Sequence, residues 1–155
     1  MTASRIFVGI SAIEVAKAPV TLTALALGSC VAVILHDPVA KVGGLAHVLL
    51  PSTNVGRPRI DAPGRFAPTA VALLNERVLA MGGVSRRLTA RLVGGASMFA
   101  ALQPAGTIQM GERNVHAARE VLHRHNIKLV GEAVGGDYGR SVDFNLDTYR
   151  ARRVR

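Results

Sequence analysis

The chain has 155 residues, 49% of them hydrophobic and 4% aromatic with no Trp, which suits one domain, expected over 1–155, with an aliphatic core. No apolar run approaches the roughly 18 residues of a membrane span, and the N-terminus lacks a signal-peptide pattern. The lone cysteine makes no internal disulfide, so the expectation is a cytoplasmic protein without membrane insertion. The formal charge of +9 gathers at Arg57, Arg59 and Arg65, at Arg86, Arg87 and Arg91, and in a basic tail over about 150–155. Such charge either steers the protein toward an acidic partner or simply solvates its surface.

In chain order, Ile6 to Ile10 and Val20 to Leu27 read as strands. The run Val31 to Leu35 is a short buried strand, and Lys41 to Leu50 is the next, with turn chemistry at Asp37-Pro38 between them. The segment from Pro51 to Gly64 is a long loop directly after the His47 strand, where a substrate-gripping loop would sit. Pro68 suits the first turn of a helix whose Val71, Leu74, Val78 and Met81 share a face and which ends near Gly82-Gly83. Leu88 to Val93 is a strand running into Gly94-Gly95. A second helix follows Gly111, with Val115, Ala118 and Leu122 inward and Glu112, Arg113, Arg119 and Arg124 outward. Ile127 to Val134 enters a second glycine pair, Gly135-Gly136, and Val142 to Leu146 alternates as a last strand. Early strands followed by two helices predict an α+β fold, a layered α/β sandwich in which a mainly antiparallel sheet carries two helices.

The candidate chemistry centres on Cys30 and His47. A thiol and an imidazole brought together by folding make a nucleophile and its base. If the strands pair as a hairpin with Asp37 to Ala40 as its loop, His36 opposes Lys41, and opposed positions then sum to 77. Cys30 then lies directly opposite His47, at a Cβ separation of roughly 4.5–5.5 Å. A slip of one residue would turn the two to opposite faces. Small residues before Cys30 leave its sulfur accessible, and the backbone N–H groups of Ser29 and Cys30 are candidates to hold a developing oxyanion. A paired thiol of this kind is expected to alkylate well below the free-thiol pKa of about 8.5. The competing reading is a small buried hydrophobe beside a hydrogen-bonded core histidine.

Other motifs are weaker. His116, His123 and His125 lack a recognised ligand spacing, so no metal is expected. The glycine pairs lack the Lys-Ser/Thr of a phosphate loop and fit tight turns or places where a backbone approaches a substrate, so no cofactor is expected. Few aromatics and no helix-turn-helix or zinc module argue against nucleic acid as a partner.

The segment from Leu27-Gly28-Ser29-Cys30-Val31 through Asp37-Pro38 to Gly43-Gly44-Leu45-Ala46-His47 resembles the CheD family of chemoreceptor glutamine deamidases. Gly94-Gly95-Ala96-Ser97-Met98-Phe99, Gly111-Glu112-Arg113-Asn114 and Gly135-Gly136-Asp137-Tyr138-Gly139-Arg140 continue the resemblance, over about residues 20 to 146. It implies cysteine-dependent hydrolysis of receptor glutamines to glutamate, with Cys30 as nucleophile, His47 as base and chemoreceptor cytoplasmic domains as substrate. An alternative is a non-catalytic adaptor that binds receptors or a CheC-type phosphatase. One departure stands out: the family's third catalytic residue is a threonine, and the matching position is Ala24. Thr21 and Thr23 belong to the opposite face of an alternating strand. The His47 ring must then be oriented by a backbone carbonyl, by water, or by another side chain such as Ser97.

Overall fold

The computed structural model describes residues 4–52 and 61–148 and the backbone of 150–154. Among the described residues nine strands form two sheets. The first contains β1 (Ser4–Phe7), β3 (Val20–Leu27), β8 (Arg140–Asn145) and β9 (Arg150–Val154), in the order β1-β3-β8-β9. The second contains β2 (Ile13–Lys17), β4 (Val31–Asp37), β5 (Val42–Val48), β6 (Thr89–Gly94) and β7 (Lys128–Val134), in the order β2-β5-β4-β6-β7. Most pairs are antiparallel; β1 with β3 and β6 with β7 run parallel. Helices α1 (Ala67–Ala80) and α2 (Met110–Arg124) cover the outer face of the five-stranded sheet. The layered sandwich foreseen from the sequence is thus present, with two sheets sharing the strands.

Layering follows from the alternation of side chains along β4 and β5. Val31, Val33, Leu35, Ala46 and Val48 pack beneath α1 and α2 with Ala70, Val71, Leu74, Val115, Ala118 and Leu122. Cys30, Ala32, Ile34 and Leu45 point the other way, against Leu22, Ala24, Leu27, Val142 and Phe144 of the four-stranded sheet. Both central strands are therefore buried on both faces, which is why they read as continuous apolar runs. Each fully buried Val, Leu or Ile contributes roughly 1.5–3 kcal/mol.

The helices begin and end where their chemistry dictates. Pro68 sits in the first turn of α1, where its missing N–H would be unpaired anyway, and Gly82 at φ +112° stops the helix one residue past Met81. In α2, Glu112 lies in the first turn and His123 and Arg124 in the last, each favoured by the helix dipole.

Several sequence expectations change. The first strand is Ser4–Phe7, and β2 over Ile13–Lys17 is additional. The segment 150–154, read as a basic tail, is a strand paired with β8. In β3 a bulge between Ala24 and Leu27, with Ala26 at φ +55°, interrupts the alternation, so Leu25 and Ala26 are exposed while Leu27 returns inward. Of the long loop after β5, residues 53–60, with Arg57 and Arg59, lie outside the described residues.

Candidate functional site

The hairpin of β4 and β5 has a different register from the one expected. Asp37 pairs with Val42, His36 with Gly43 and Ala32 with His47, so opposed positions sum to 79 and His36 does not face Lys41. The turn keeps four residues but moves one position along, to Pro38–Lys41. Asp37 fixes it: its carboxylate accepts the N–H groups of Val39 and Ala40, and its carbonyl accepts that of Lys41, which adopts φ +57° and leaves the ladder. Two residues of shift preserve the face. Cys30 and His47 both project between the sheets, one step apart on the diagonal, at the end of the hairpin away from the turn. Diagonal neighbours have Cα atoms roughly 7–8 Å apart, within reach of long side chains.

His47 is 2% exposed and Cys30 8%. The His47 ring is held by a backbone carbonyl: Nδ1 lies 2.9 Å from the Val8 oxygen. The carbonyl can only accept, so Nδ1 carries the hydrogen and Nε2 the lone pair. That Nε2 is buried and has no hydrogen-bond partner. Val8 is itself tied to β3 through its N–H on the Thr23 carbonyl at 2.8 Å. The orienting role thus falls to Val8; Ser97 instead bonds through its backbone N–H to the Gly136 carbonyl. Ala24 is wholly buried in the inter-sheet cluster, while the Thr23 hydroxyl donates to Asp143 and accepts from Arg5.

Electrostatics set the resting protonation states. Burial pushes the Cys30 thiol up, opposed in part by its own backbone N–H, which lies where it stabilises the thiolate. Burial likewise pushes His47 below the ordinary imidazole range, opposed by its bond to Val8. Burial thus favours the neutral form of both groups at pH 7.

The residues before Cys30 are gripped from three sides. The Gly28 carbonyl accepts the Ala96 N–H at 2.8 Å, and the Cys30 carbonyl accepts the Gly95 N–H at 2.8 Å. The Ser29 carbonyl accepts Nδ2 of Asn114, also at 2.8 Å. Gly94 has to be glycine: a Cβ there would lie 2.3 Å from the Cys30 oxygen. A Cβ on Gly111 would meet the Ala96 oxygen at 2.3 Å, so α2 begins in close contact with the same turn. The first glycine pair brings backbone against backbone. Arg140, 4% exposed, closes the far side by donating to the carbonyls of Gly94, Ala133 and Gly135. Beside His47 an open cavity of about 160 Å³ is lined by Phe7, Val8, Gly9, Ile10, Thr23 and Leu25.

Asn114 and Val8 escaped the sequence reading. Val8 acts through its backbone and leaves no mark on residue type. Asn114 left a signal, a polar residue on the buried stripe formed by Gly111, Val115, Ala118 and Leu122. Among the described residues no group of three or more His, Cys, Asp or Glu is placed to hold a metal, and His116, His123 and His125 are exposed.

Fold and site together define a layered α/β sandwich with a thiol and an imidazole on one inter-sheet face, the residue pair used in cysteine-dependent acyl chemistry. Comparison with known proteins narrows that class. A family model described as CheD chemotactic sensory transduction matches residues 49–154. The "Probable chemoreceptor glutamine deamidase CheD 3" of Geobacter sulfurreducens is 47% identical over 141 residues, 91% of this chain and 87% of that protein. The "Chemoreceptor glutamine deamidase CheD" of Thermotoga maritima is 44% identical over 141 residues, 91% of this chain and 85% of that protein. The chain belongs to the CheD family. The family model begins after His47, but alignments of 141 residues leave too few of the 155 outside to miss Cys30 or His47. A crystal structure of a Neisseria meningitidis protein of the DUF152 family shares the fold, with a TM-score of 0.52 at 13% identity over 87% of this chain. This chain spans 65% of that protein's length. Among the described residues no helix is long and apolar enough to cross a membrane.

Proposed function

We propose that this chain, acting as one unit over 1–155 in the cytoplasm, hydrolyses glutamine side chains of chemoreceptor cytoplasmic domains to glutamate and releases ammonia. Relatives at 47% and 44% identity bear the name chemoreceptor glutamine deamidase, and the residues of this chain supply a route to that chemistry. The observation that carries the reading is His47: its Nδ1 is anchored on Val8 and its bare Nε2 lies on the face that Cys30 shares.

In this scheme Nε2 of His47 takes the thiol proton as the Cys30 sulfur bonds to the amide carbon of the substrate. The tetrahedral oxyanion is held by the N–H groups of Ser29 and Cys30, the latter already bearing on the sulfur. The imidazolium returns its proton to the nitrogen, the C–N bond breaks and ammonia leaves. Water, deprotonated by His47, then attacks the γ-glutamyl thioester, giving glutamate and restoring the Cys30 thiol. Because thiol and imidazole both rest neutral, the proton moves during attack, and His47 acts as a true general base. The scheme requires no metal or cofactor. In this reading the Val8 carbonyl orients the ring in place of the threonine that Ala24 replaces.

Mass spectrometry of a receptor cytoplasmic fragment, incubated with wild type, Cys30→Ala and His47→Ala, tests the proposal. Site-specific gain of about 1 Da per glutamine, lost in both variants, is the expected result. No conversion, with receptor binding intact, would replace the enzyme by a docking protein of receptors or of a CheC-type phosphatase.

A further inference from the structure

Asn114 is fully buried on α2, and its Nδ2 donates to two backbone carbonyls, Ser29 at 2.8 Å and Leu49 at 3.0 Å. Ser29 lies just before β4 and Leu49 just after β5. The β4–β5 ladder ends at Val31 with Val48, and in the same register Leu49 would stand opposite Cys30. In place of that next rung, the amide of Asn114 reaches across and satisfies a carbonyl on each side.

The consequence lies in the peptide unit joining Ser29 to Cys30. Its carbonyl and its N–H point in opposite directions because the peptide is planar and trans. Fixing the Ser29 oxygen on α2 therefore fixes the Cys30 N–H on the other side. That N–H bears on the sulfur of its own residue. The flanking carbonyls, Gly28 and Cys30, are held by backbone N–H groups of the Gly95-Ala96 turn. Of the three grips, the central one is a side chain and so is open to substitution.

We propose that Asn114 is a positioning residue, which aims the Cys30 N–H at the sulfur and the oxyanion by holding the Ser29 carbonyl, and sets the spacing of the Cys30 and His47 strands by holding Leu49. The assignment rests on the deamidase reading for its kinetic consequence, but its effect on the thiol is independent of any substrate. A purely structural role is a real competitor, since a buried amide bonded to two carbonyls also stabilises the fold. The two roles differ in what they move. Loss of packing lowers the melting temperature, whereas loss of aim changes the thiolate.

The test uses Asn114→Leu, which keeps the branched shape without the donors, and Asn114→Ala, in case the larger side chain does not fold. Iodoacetamide labelling of Cys30 followed across the neutral and alkaline range is compared with kcat and KM on a receptor fragment, all below each variant's melting temperature. We expect the labelling profile to move to higher pH, kcat to fall roughly tenfold to a hundredfold, less than for outright removal of an oxyanion donor, and KM to stay within about twofold. An unchanged labelling profile and unchanged kcat in the folded variants overturn the proposal. So does a fall in kcat that only tracks the loss of folded protein. If the wild type converts no glutamine but the labelling profile still shifts, the deamidase reading fails and the role of Asn114 stands.

Discussion

The two ends of the β4–β5 hairpin are built to opposite specifications. At the turn, Asp37 is wholly buried, and every contact it makes is a satisfied one. Oδ1 accepts from Val39 at 2.9 Å, Ala40 at 3.0 Å and Nε of Arg87 at 3.0 Å, while Oδ2 accepts from Val84 at 2.8 Å and Nη2 of Arg87 at 3.0 Å. These donors outweigh burial and hold the carboxyl far below the usual carboxylate range. At the other end, Nε2 of His47, Oδ1 of Asn114 and Nε of Arg140 are buried without partners. One hairpin thus carries a saturated end that fixes register and an unsaturated end that keeps reactive atoms available. Unsatisfied buried groups cost stability, and proteins retain them where function requires it.

The sharpest way to break the comparison is to delete the reactive end. Cys30→Ala should reduce glutamine conversion by at least roughly 10³-fold, and His47→Ala by about 10²–10⁴-fold, the range of general acid–base contributions. Neither should change the denaturation midpoint as much as a change at the turn does. Residual turnover above a tenth of wild type in Cys30→Ala would remove the thiol from the mechanism.

The converse change is at Asp37. Asp37→Ala leaves the partly exposed Arg87 and the N–H groups of Val39, Ala40 and Val84 without their acceptor, and stranded N–H donors of this kind cost about 1–3 kcal/mol each where they stay buried. Chemical denaturation should register that loss, while kcat on the remaining folded protein stays near wild type. A large fall in kcat at unchanged stability would mean that the two ends are not separable.

How much of this contrast the sequence discloses depends on whether side chains or backbone carry it. The shared face of Cys30 and His47 is legible because alternation has a period of two, so the error of two in register was harmless. The rung itself was not legible. It turns on Lys41 adopting a left-handed backbone, which residue type alone does not dictate. The arginines at 150, 152 and 153 resemble solvated charge, and only the long-range pairing with β8 makes the segment a strand. Strand β2 is short, and its partner β5 lies more than twenty residues away, so the alternation of Ile13 and Val15 carried little weight. Val8 could not have been found from side-chain chemistry. Asn114 could, as the polar residue in an apolar stripe.

A smaller effect comes from the histidines. His36 and His47 are both buried, and burial lowers both below the ordinary value of 6.5. Below pH 6.5 the unfolded chain therefore takes up protons that the folded one refuses, and stability falls as pH falls. Each histidine contributes about 1.4 kcal/mol per pH unit between 6.5 and its folded value. Asp37, with its carboxyl depressed, adds its loss only near and below its unfolded value of 3.8. Melting curves between neutral and mildly acidic pH should show the decline, and His47→Gln should roughly halve its slope. A slope untouched by that substitution would mean His47 is not held neutral by the fold.

The smallest effect is expected at Ala24, where the family resemblance pointed to a missing threonine. Ala24 is buried among Leu22, Leu27, Ala32, Ile34 and Val142, and Nδ1 of His47 is already occupied by the Val8 carbonyl. A hydroxyl introduced there finds the orienting bond already made. Ala24→Thr should therefore change kcat/KM by less than about threefold, within the contribution of one ordinary hydrogen bond, while adding a polar atom to an apolar layer. A gain of tenfold or more would show that a hydroxyl at this position does something the carbonyl does not, such as ordering the attacking water. The open end of the hairpin would then be underbuilt in this chain, and its contrast with the saturated turn would reflect a missing part.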